Sequence, residues 1–284
     1  MDDLLRITFV GHVSKDINKT PVDTKTIPGG GVLYGSIAAA RLGAESIAVT
    51  KFAREDEHLF EIIPQSGVVL QRLDSRTTTS IENIYKSSNS DERESRVISL
   101  AESFKKSDVE DIKSEAIVIN PLWHGEFPER LLSVVREGTD LLIGDAQGFL
   151  RNVKEDGKMV YTIWEERFEY MKMFDIFKVD AKEARTLTGK TDILEACKEI
   201  REMGVKIVLL THKNGICVYN GQRMYGAPFR TWTLEGRTGR GDTCTAAFVV
   251  GLKKHPLQKA TELAARITSE KMQYAGPYLG QNHV

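Results

Sequence analysis

The chain has 284 residues, a formal net charge of −1, and 41% hydrophobic and 28% charged residues. That length supports a substantial core, and the near-neutral charge gives no global basic field to recruit nucleic acid or an anionic membrane. The three cysteines, Cys197, Cys217 and Cys244, are widely spaced and odd in number, so neither a C-x-x-C zinc site nor a disulfide scaffold is expected. The acidic start is unlike a signal peptide and no stretch reaches transmembrane length, so a cytoplasmic setting is expected.

In chain order, Ile7 to Val13 reads as a buried first strand. The Gly-rich turn Pro28-Gly29-Gly30-Gly31 follows, then a helix of small residues from Val32 to Leu42 closed by Gly43. Strands are expected at Ser46 to Phe52 and Val68 to Leu73. The stretch from Thr77 to Leu100 breaks the rhythm. Two β-prone runs, Thr77 to Tyr85 and Glu94 to Leu100, flank the polar turn Ser87-Ser88-Asn89-Ser90-Asp91, which predicts a hairpin contributing most of a lid. Strands are then expected at Ala116 to Asn120, Leu141 to Asp145, Ile176 to Val179 and Lys206 to Thr211. Helices are expected at Glu126 to Arg136, Trp164 to Met173, Ala181 to Thr188 and Asp192 to Met203. Asn220-Gly221 marks the turn of a late hairpin, and helices at Asp242 to Lys253 and Leu257 to Gln273 complete the chain. Alternating strands and helices predict an α/β fold: a mostly parallel sheet covered on both faces, with ligands at the C-terminal strand ends.

Chemistry concentrates in Glu235-Gly236-Arg237-Thr238-Gly239-Arg240-Gly241-Asp242-Thr243. Two glycines bracket one residue ahead of a helix, so backbone N–H groups can converge at the positive end of the helix dipole and cradle an anion. Asp242 at the edge of such a cradle would repel a phosphate unless it had a task. Cradle plus carboxylate points to phosphoryl transfer to a hydroxyl, with Asp242 as general base. A glycine-capped helix start is the plainer alternative. Thr188-Gly189-Lys190-Thr191 mimics the end of a P-loop, but Ala184 stands where the first glycine belongs, and the segment reads as a helix C-cap. The six histidines show no metallohydrolase spacing.

Four stations in order are similar to the ribokinase-like (PfkB) family of carbohydrate kinases: Ser14-Lys15-Asp16, Gly29-Gly30-Gly31 through Gly43, Asp180-Ala181-Lys182-Glu183, and Thr238-Gly239-Arg240-Gly241-Asp242-Thr243. Within the family, Arg76-Thr77-Thr78 through Asn83, Asn120-Pro121-Leu122-Trp123 and Asp145-Ala146-Gln147-Gly148 most resemble the bacterial myo-inositol kinases. The resemblance implies a three-layer α/β/α core with a mostly parallel sheet and a small β lid. The whole of 1–284 would be one kinase domain, with the lid inserted mainly at about 77–100. It further implies catalysis by Asp242 with an anion hole at Gly239, Arg240 and Gly241, and polyol binding by Asp16, Gly30, Gly31, Tyr34, Asp145 and Gln147. Nucleotide would be held at Thr211, Gly215 and Thr238, with residues from Thr268 to Gln273 flanking adenine. Mg²⁺ would be ordered by Glu183 and Asp180.

Four departures stand out. The family has alanine in place of Arg240, whose guanidinium either adds a phosphate contact or lies on the surface. Tyr34 replaces an asparagine and Gly31 a lysine, which argues against ribose. Asp180 replaces an asparagine. Asn120, Glu82 and Asn83 are further cleft candidates. The expected reaction is transfer from ATP to myo-inositol, with Mg²⁺ as cofactor, a monovalent cation left open, no nucleic-acid or membrane partner, and a homodimer through the lid. A kinase of another sugar or nucleoside, a hydrolase using the same anion hole, and a silent sugar or nucleotide sensor are the competing readings. Retention of Asp242 with both glycines argues against silence.

Overall fold

The computed structural model describes residues 4–85, 93–230 and 236–280. The polar turn expected at 87–91 and Glu235 of the C-terminal motif lie outside them. The first half contains β1 (Arg6–Val10), β2 (Ser14–Lys19), β3 (Thr24–Gly29), α1 (Gly31–Arg41), β4 (Glu45–Phe52), α2 (Ile62–Gln65), β5 (Val69–Asp74), β6 (Thr79–Tyr85), β7 (Arg93–Ser99), β8 (Ala116–Ile119), α3 (Leu132–Arg136) and β9 (Leu141–Asp145). The second half contains α4 (Gln147–Leu150), β10 (Arg151–Val153), β11 (Met159–Tyr161), α5 (Arg167–Tyr170), β12 (Ile176–Asp180), α6 (Ala181–Thr188), α7 (Ile193–Glu202), β13 (Ile207–His212), β14 (Gly215–Tyr219), β15 (Met224–Pro228), α8 (Arg240–Leu252) and α9 (Leu257–Lys271).

Nine strands form one sheet in the order β15-β14-β13-β12-β9-β8-β1-β4-β5. β14 and β15 pair antiparallel as the expected late hairpin, β13 also pairs antiparallel with β14, and the remaining neighbours are parallel. Central strands such as Ala116–Ile119 are buried along their whole length, as a sheet covered on both faces requires. One apolar layer joins α1, α8 and α9 through Ile37, Phe248 and Ala264. The other joins α3 to α7 through Leu132, Phe149 and Ile200. The result is an α/β/α sandwich.

The lid is a separate four-stranded sheet, β3-β2-β6-β7. β2 pairs parallel with β6, Ser14 opposite Thr79, while β3 and β7 lie antiparallel on either side. The expected lid segment thus supplies half the sheet, and 14–29, read as loop and Gly-rich turn, supplies the rest. Those strands are polar and half-exposed (SKDINK, TKTIPG), so they lack the apolar alternation that identifies a strand. The β10–β11 hairpin was likewise unforeseen. Its Met159 packs with Ile81 of the lid and Leu122 of the core.

The helix expected at Glu126 to Arg136 shrinks to a 3₁₀ turn, Glu129–Leu131, and the five-residue α3. Pro128 holds ψ at 130° there, which breaks the helix before it can form. By contrast α6 spans its expected residues, because Asp180 accepts from the Glu183 N–H at 2.8 Å and Glu183 accepts from the Asp180 N–H at 2.6 Å. Such a capping box is worth about 1 kcal/mol. Gly189 closes α6 at φ 72°, confirming the C-cap reading of Gly189-Lys190-Thr191.

Candidate active site

The N-termini of α1 and α8 meet at the C-terminal edge of the sheet, roofed by the lid, and bound a cavity of about 960 Å³. Both starts need glycine. Gly30 has φ 101° and Gly239 φ 78°, left-handed conformations costly to other residues. Asp242 stands in the first turn of α8 and accepts from Asn120 Nδ2, at the end of β8, at 3.3 Å. A Cβ on Gly31 would lie 2.1 Å from Asn120 Oδ1 and 2.5 Å from Asp242 Oδ1, so the absence of a side chain there makes room for this pair. Burial raises the Asp242 carboxyl above the usual range and Asp145 pushes the same way, while Lys178 and the Asn120 bond oppose them. A raised carboxyl is a stronger base toward a hydroxyl proton.

The three backbone N–H groups of the expected anion hole are not equivalent. The Arg240 N–H donates to the Arg237 carbonyl at 3.2 Å and is already engaged, while Gly239 and Gly241 line the cavity at the positive end of α8. The Arg240 side chain lines the cavity.

Beside Asp242 lies an acid–lysine cluster that sequence reasoning only half found. Lys178, buried in β12, sits 3.2 Å from Asp145 Oδ2 and 3.5 Å from Glu183 Oε2. Burial works against its charge, but Asp145, Glu183, Asp180 and Asp242 outweigh burial and hold the ammonium protonated. A Cβ on Gly241 would meet Lys178 Nζ at 2.9 Å, so the lysine packs directly beneath the α8 terminus. The available signal was a lone lysine in the buried run Ile176-Phe177-Lys178-Val179, where a charge without a partner is prohibitively costly. Burial, then Asp180, pushes Glu183 up to about 8. Lys178 thus lies between Asp145 and Glu183, with Asp180 and Asp242 near enough to add to the acidic field at this edge of the cleft, and oxygen donors of this kind suit a hard divalent cation.

On the lid side, Asp16 of β2 lines the cavity and accepts from Ser14 Oγ at 2.7 Å. Burial raises its carboxyl and the Ser14 bond opposes the rise. Arg151, buried at the base of the β10–β11 hairpin, and Tyr161 line the same wall. Neither was anticipated. Lys182 lies over the Tyr161 ring at 4.3 Å, and Arg237 lies over the ring of lid residue Tyr85 at 5.3 Å. Asn83 lines the cleft but already bonds Asn18 and Ser95. Tyr34 reaches the cavity, and its ring also supports Gly239. Burial, with Asp16 and Asp242 nearby, keeps its hydroxyl protonated.

Gly30, Gly31, Asp145, Gln147, Asp180, Glu183, Thr211 and Thr238 all line the cavity. Gly215 does not. It serves the close β14–β15 pairing, where a Cβ would meet the Ala227 carbonyl at 2.4 Å. Glu82 turns to Lys19, 2.6 Å away. Of the segment expected to flank adenine, Thr268, Ser269, Lys271 and Met272 are buried in α9 or at its end, while Gln273 is exposed, and none of the six lines this cavity. No helix among the described residues is long and apolar enough to cross a membrane.

A model of the pfkB family of carbohydrate kinases matches residues 2–283. Among solved structures, the chain is similar to a pyrophosphate-dependent kinase in the ribokinase family complexed with a pyrophosphate analog and myo-inositol. The identity is 49% and the TM-score 0.91, covering 96% of this chain and 97% of that one. The chain is 25% identical over 297 residues to a cytidine kinase of Thermococcus kodakarensis, covering 97% of this chain and 99% of that protein. It is also 29% identical over 150 residues to an ATP-dependent 6-phosphofructokinase of Thermoanaerobacterium thermosaccharolyticum, a match spanning 50% of this chain and 47% of that protein.

Proposed function

The chain belongs to the pfkB family of carbohydrate kinases, phosphotransferases with alcohol acceptors, and from that premise we propose that it transfers a phosphoryl group from inorganic pyrophosphate to a hydroxyl of myo-inositol. The observation that carries the reading is the 49% identity, across nearly the whole chain, to a kinase with that donor dependence and that polyol bound. Two features of the cleft support it. None of Thr268 to Gln273 lines the cavity, and Lys182 and Arg240 line it with Thr186. Cationic side chains suit a compact, highly charged donor.

Asp16 accepts hydroxyl hydrogens of the polyol and orients it. Asp242 takes the proton from the attacking hydroxyl as the phosphoryl group moves across, and the Gly239 and Gly241 N–H groups stabilise the charge on its oxygens. Asn120 aims the Asp242 carboxylate. Asp180, Glu183 and Asp145 would hold Mg²⁺, which supplies charge neutralisation on the donor oxygens. Lid strands β2, β3, β6 and β7 exclude water, limiting donor hydrolysis. Ile84 and Ile98 on the lid are 41% and 57% exposed, and pairing of two lids would cover them.

The second reading is an ATP-dependent kinase of a nucleoside or another sugar, favoured by the full-length likeness to the cytidine kinase. Phosphate release measured with pyrophosphate, and ADP release with ATP, over a panel of inositols, sugars and nucleosides separates the two. Turnover is expected with pyrophosphate and myo-inositol, and turnover confined to ATP would replace the first reading by the second.

A further inference from the structure

Behind the anion hole lies a lysine with no part in the mechanism above. Lys271, the last residue of α9, is fully buried. Its Nζ donates to the backbone carbonyls of Gly236 and Thr238, in the loop that leads into Gly239 and Asp242. The ammonium lies 5.3 Å from the Tyr34 ring centroid. Gly239 rests on the same ring so closely that a Cβ would approach it to 2.1 Å. Lysine, ring and loop therefore form one packed stack under the phosphoryl cradle.

Peptide geometry links that stack to the chemistry. The Thr238 carbonyl and the Gly239 N–H belong to one planar trans peptide, so they point in opposite directions. A carbonyl drawn down onto Lys271 sends the Gly239 N–H up into the cleft that Gly239 lines. The Gly236 carbonyl anchors the loop one step earlier, where the Gly236 N–H also donates to the Met272 carbonyl at 3.2 Å. Burial lowers the Lys271 ammonium to about 8, with Asp242 opposing the fall, so the group is charged at neutral pH. A buried cation held by neutral carbonyls is expensive to maintain, and an apolar side chain of the same length would fill the space without that cost.

We propose that Lys271 is a positioning residue for phosphoryl transfer: its ammonium acts as a tethered monovalent cation beneath the anion hole, orienting the Gly239 N–H and offsetting the negative charge gathered on the phosphoryl group. The proposal rests on the kinase reading. It implies that turnover needs no added monovalent cation. It also makes Lys271 a determinant of kcat and not of acceptor binding.

The test uses the full chain in tetramethylammonium buffer, with Mg²⁺, pyrophosphate and myo-inositol or whichever pair the wild type turns over. Wild-type rates should not change when K⁺ or NH₄⁺ is added at matched ionic strength; a requirement for either would overturn the proposal. In Lys271→Met, kcat should fall about 10²-fold, the size of losing one oxyanion donor, with the acceptor KM unchanged. In Lys271→Ala, NH₄⁺ should restore turnover saturably, and Lys259→Met on the exposed face of α9 should match wild type. An unchanged kcat in folded Lys271→Met, a loss confined to KM, or no rescue of folded Lys271→Ala would each overturn it. Should neither variant fold, the wild-type cation series still decides. A wild type inert toward every acceptor would sink the kinase reading itself. Calorimetric pyrophosphate binding would then test Lys271 separately, with weaker binding in the methionine variant expected and equal binding contradicting it.

Discussion

At the residue scale the account rests on Asp242 and the contacts that hold it. Asp242→Asn removes the base but leaves an acceptor of similar shape beside Asn120. Its kcat should fall ~10²–10⁴-fold with donor and acceptor binding retained, as single-turnover kinetics and calorimetry would show; near-wild-type turnover would contradict the assignment. The base must be ionised to act, and burial followed by Asp145 raises its carboxyl. Activity should therefore fall with decreasing pH at values above the usual carboxylate range of about 4, and an acid limb at or below that range would count against Asp242. Gly31→Ala places a methyl group against both Asn120 and Asp242. It should lower kcat at least tenfold, an order of magnitude set by the sensitivity of transfer to misplaced groups.

Some of these residues were legible before the fold, and some were not. Gly239, Gly241 and Asp242 stand together in the chain, so spacing alone reveals a cradle with an acid. Lys178, Arg151 and Tyr161 are single residues brought in by β12 and the β10–β11 hairpin, and no local pattern links them to the motif. Asp180 and Glu183 carry a double role that spacing could not separate: they cap α6 and also face Lys178.

At the element scale, α1 and α8 are rich in small residues, and this lets their N-termini converge. Gly35 sits so close to Phe9 that a Cβ would meet its ring at 2.6 Å. The Gly239 cap is the most exposed weakness of this arrangement. Gly239→Ala should destabilise the fold by about 1–2 kcal/mol from the left-handed backbone alone, before the clash with Tyr34, and equilibrium urea unfolding would measure it. A change below about 0.5 kcal/mol would show that the α8 start relaxes freely. Strong local signals made the core helices readable: the Asp180–Glu183 box for α6, and Asp192, which accepts from the Glu195 N–H at 2.9 Å, for α7. The lid was only half readable, because β2 is held by pairing with β6 and β3 by pairing with β2, and not by burial of an apolar face.

For the molecule as a whole, the joint between core and lid is also a pH-sensitive point. His12 is fully buried, with Nδ1 3.0 Å from Thr79 Oγ1 and Nε2 3.2 Å from the Glu102 carbonyl. Burial lowers it from 6.5 to about 3, with Lys51 adding to the fall and contacts to Glu102 opposing it. A depressed histidine contributes stability that is present above its unfolded value and lost as pH falls. The contribution of His12 to the unfolding midpoint should therefore be lost between pH 6.5 and about 3, against the opposite trend of the buried Glu126 3.5 Å away, which burial raises to about 8, and His12→Asn should flatten the His12 part of the profile. An identical slope in the variant would place the acid sensitivity elsewhere.

The central claim is that this α/β/α fold brings Asp242, the α8 cradle and the lid carboxylate Asp16 together to phosphorylate a polyol. The most direct measurement is ³¹P NMR of full-length protein with Mg²⁺, pyrophosphate and myo-inositol, run beside Asp242→Asn. An inositol monophosphate resonance and one equivalent of inorganic phosphate should appear with the wild type and be nearly absent with the variant. Phosphate release independent of inositol, or equal ester formation by the two proteins, would contradict the account.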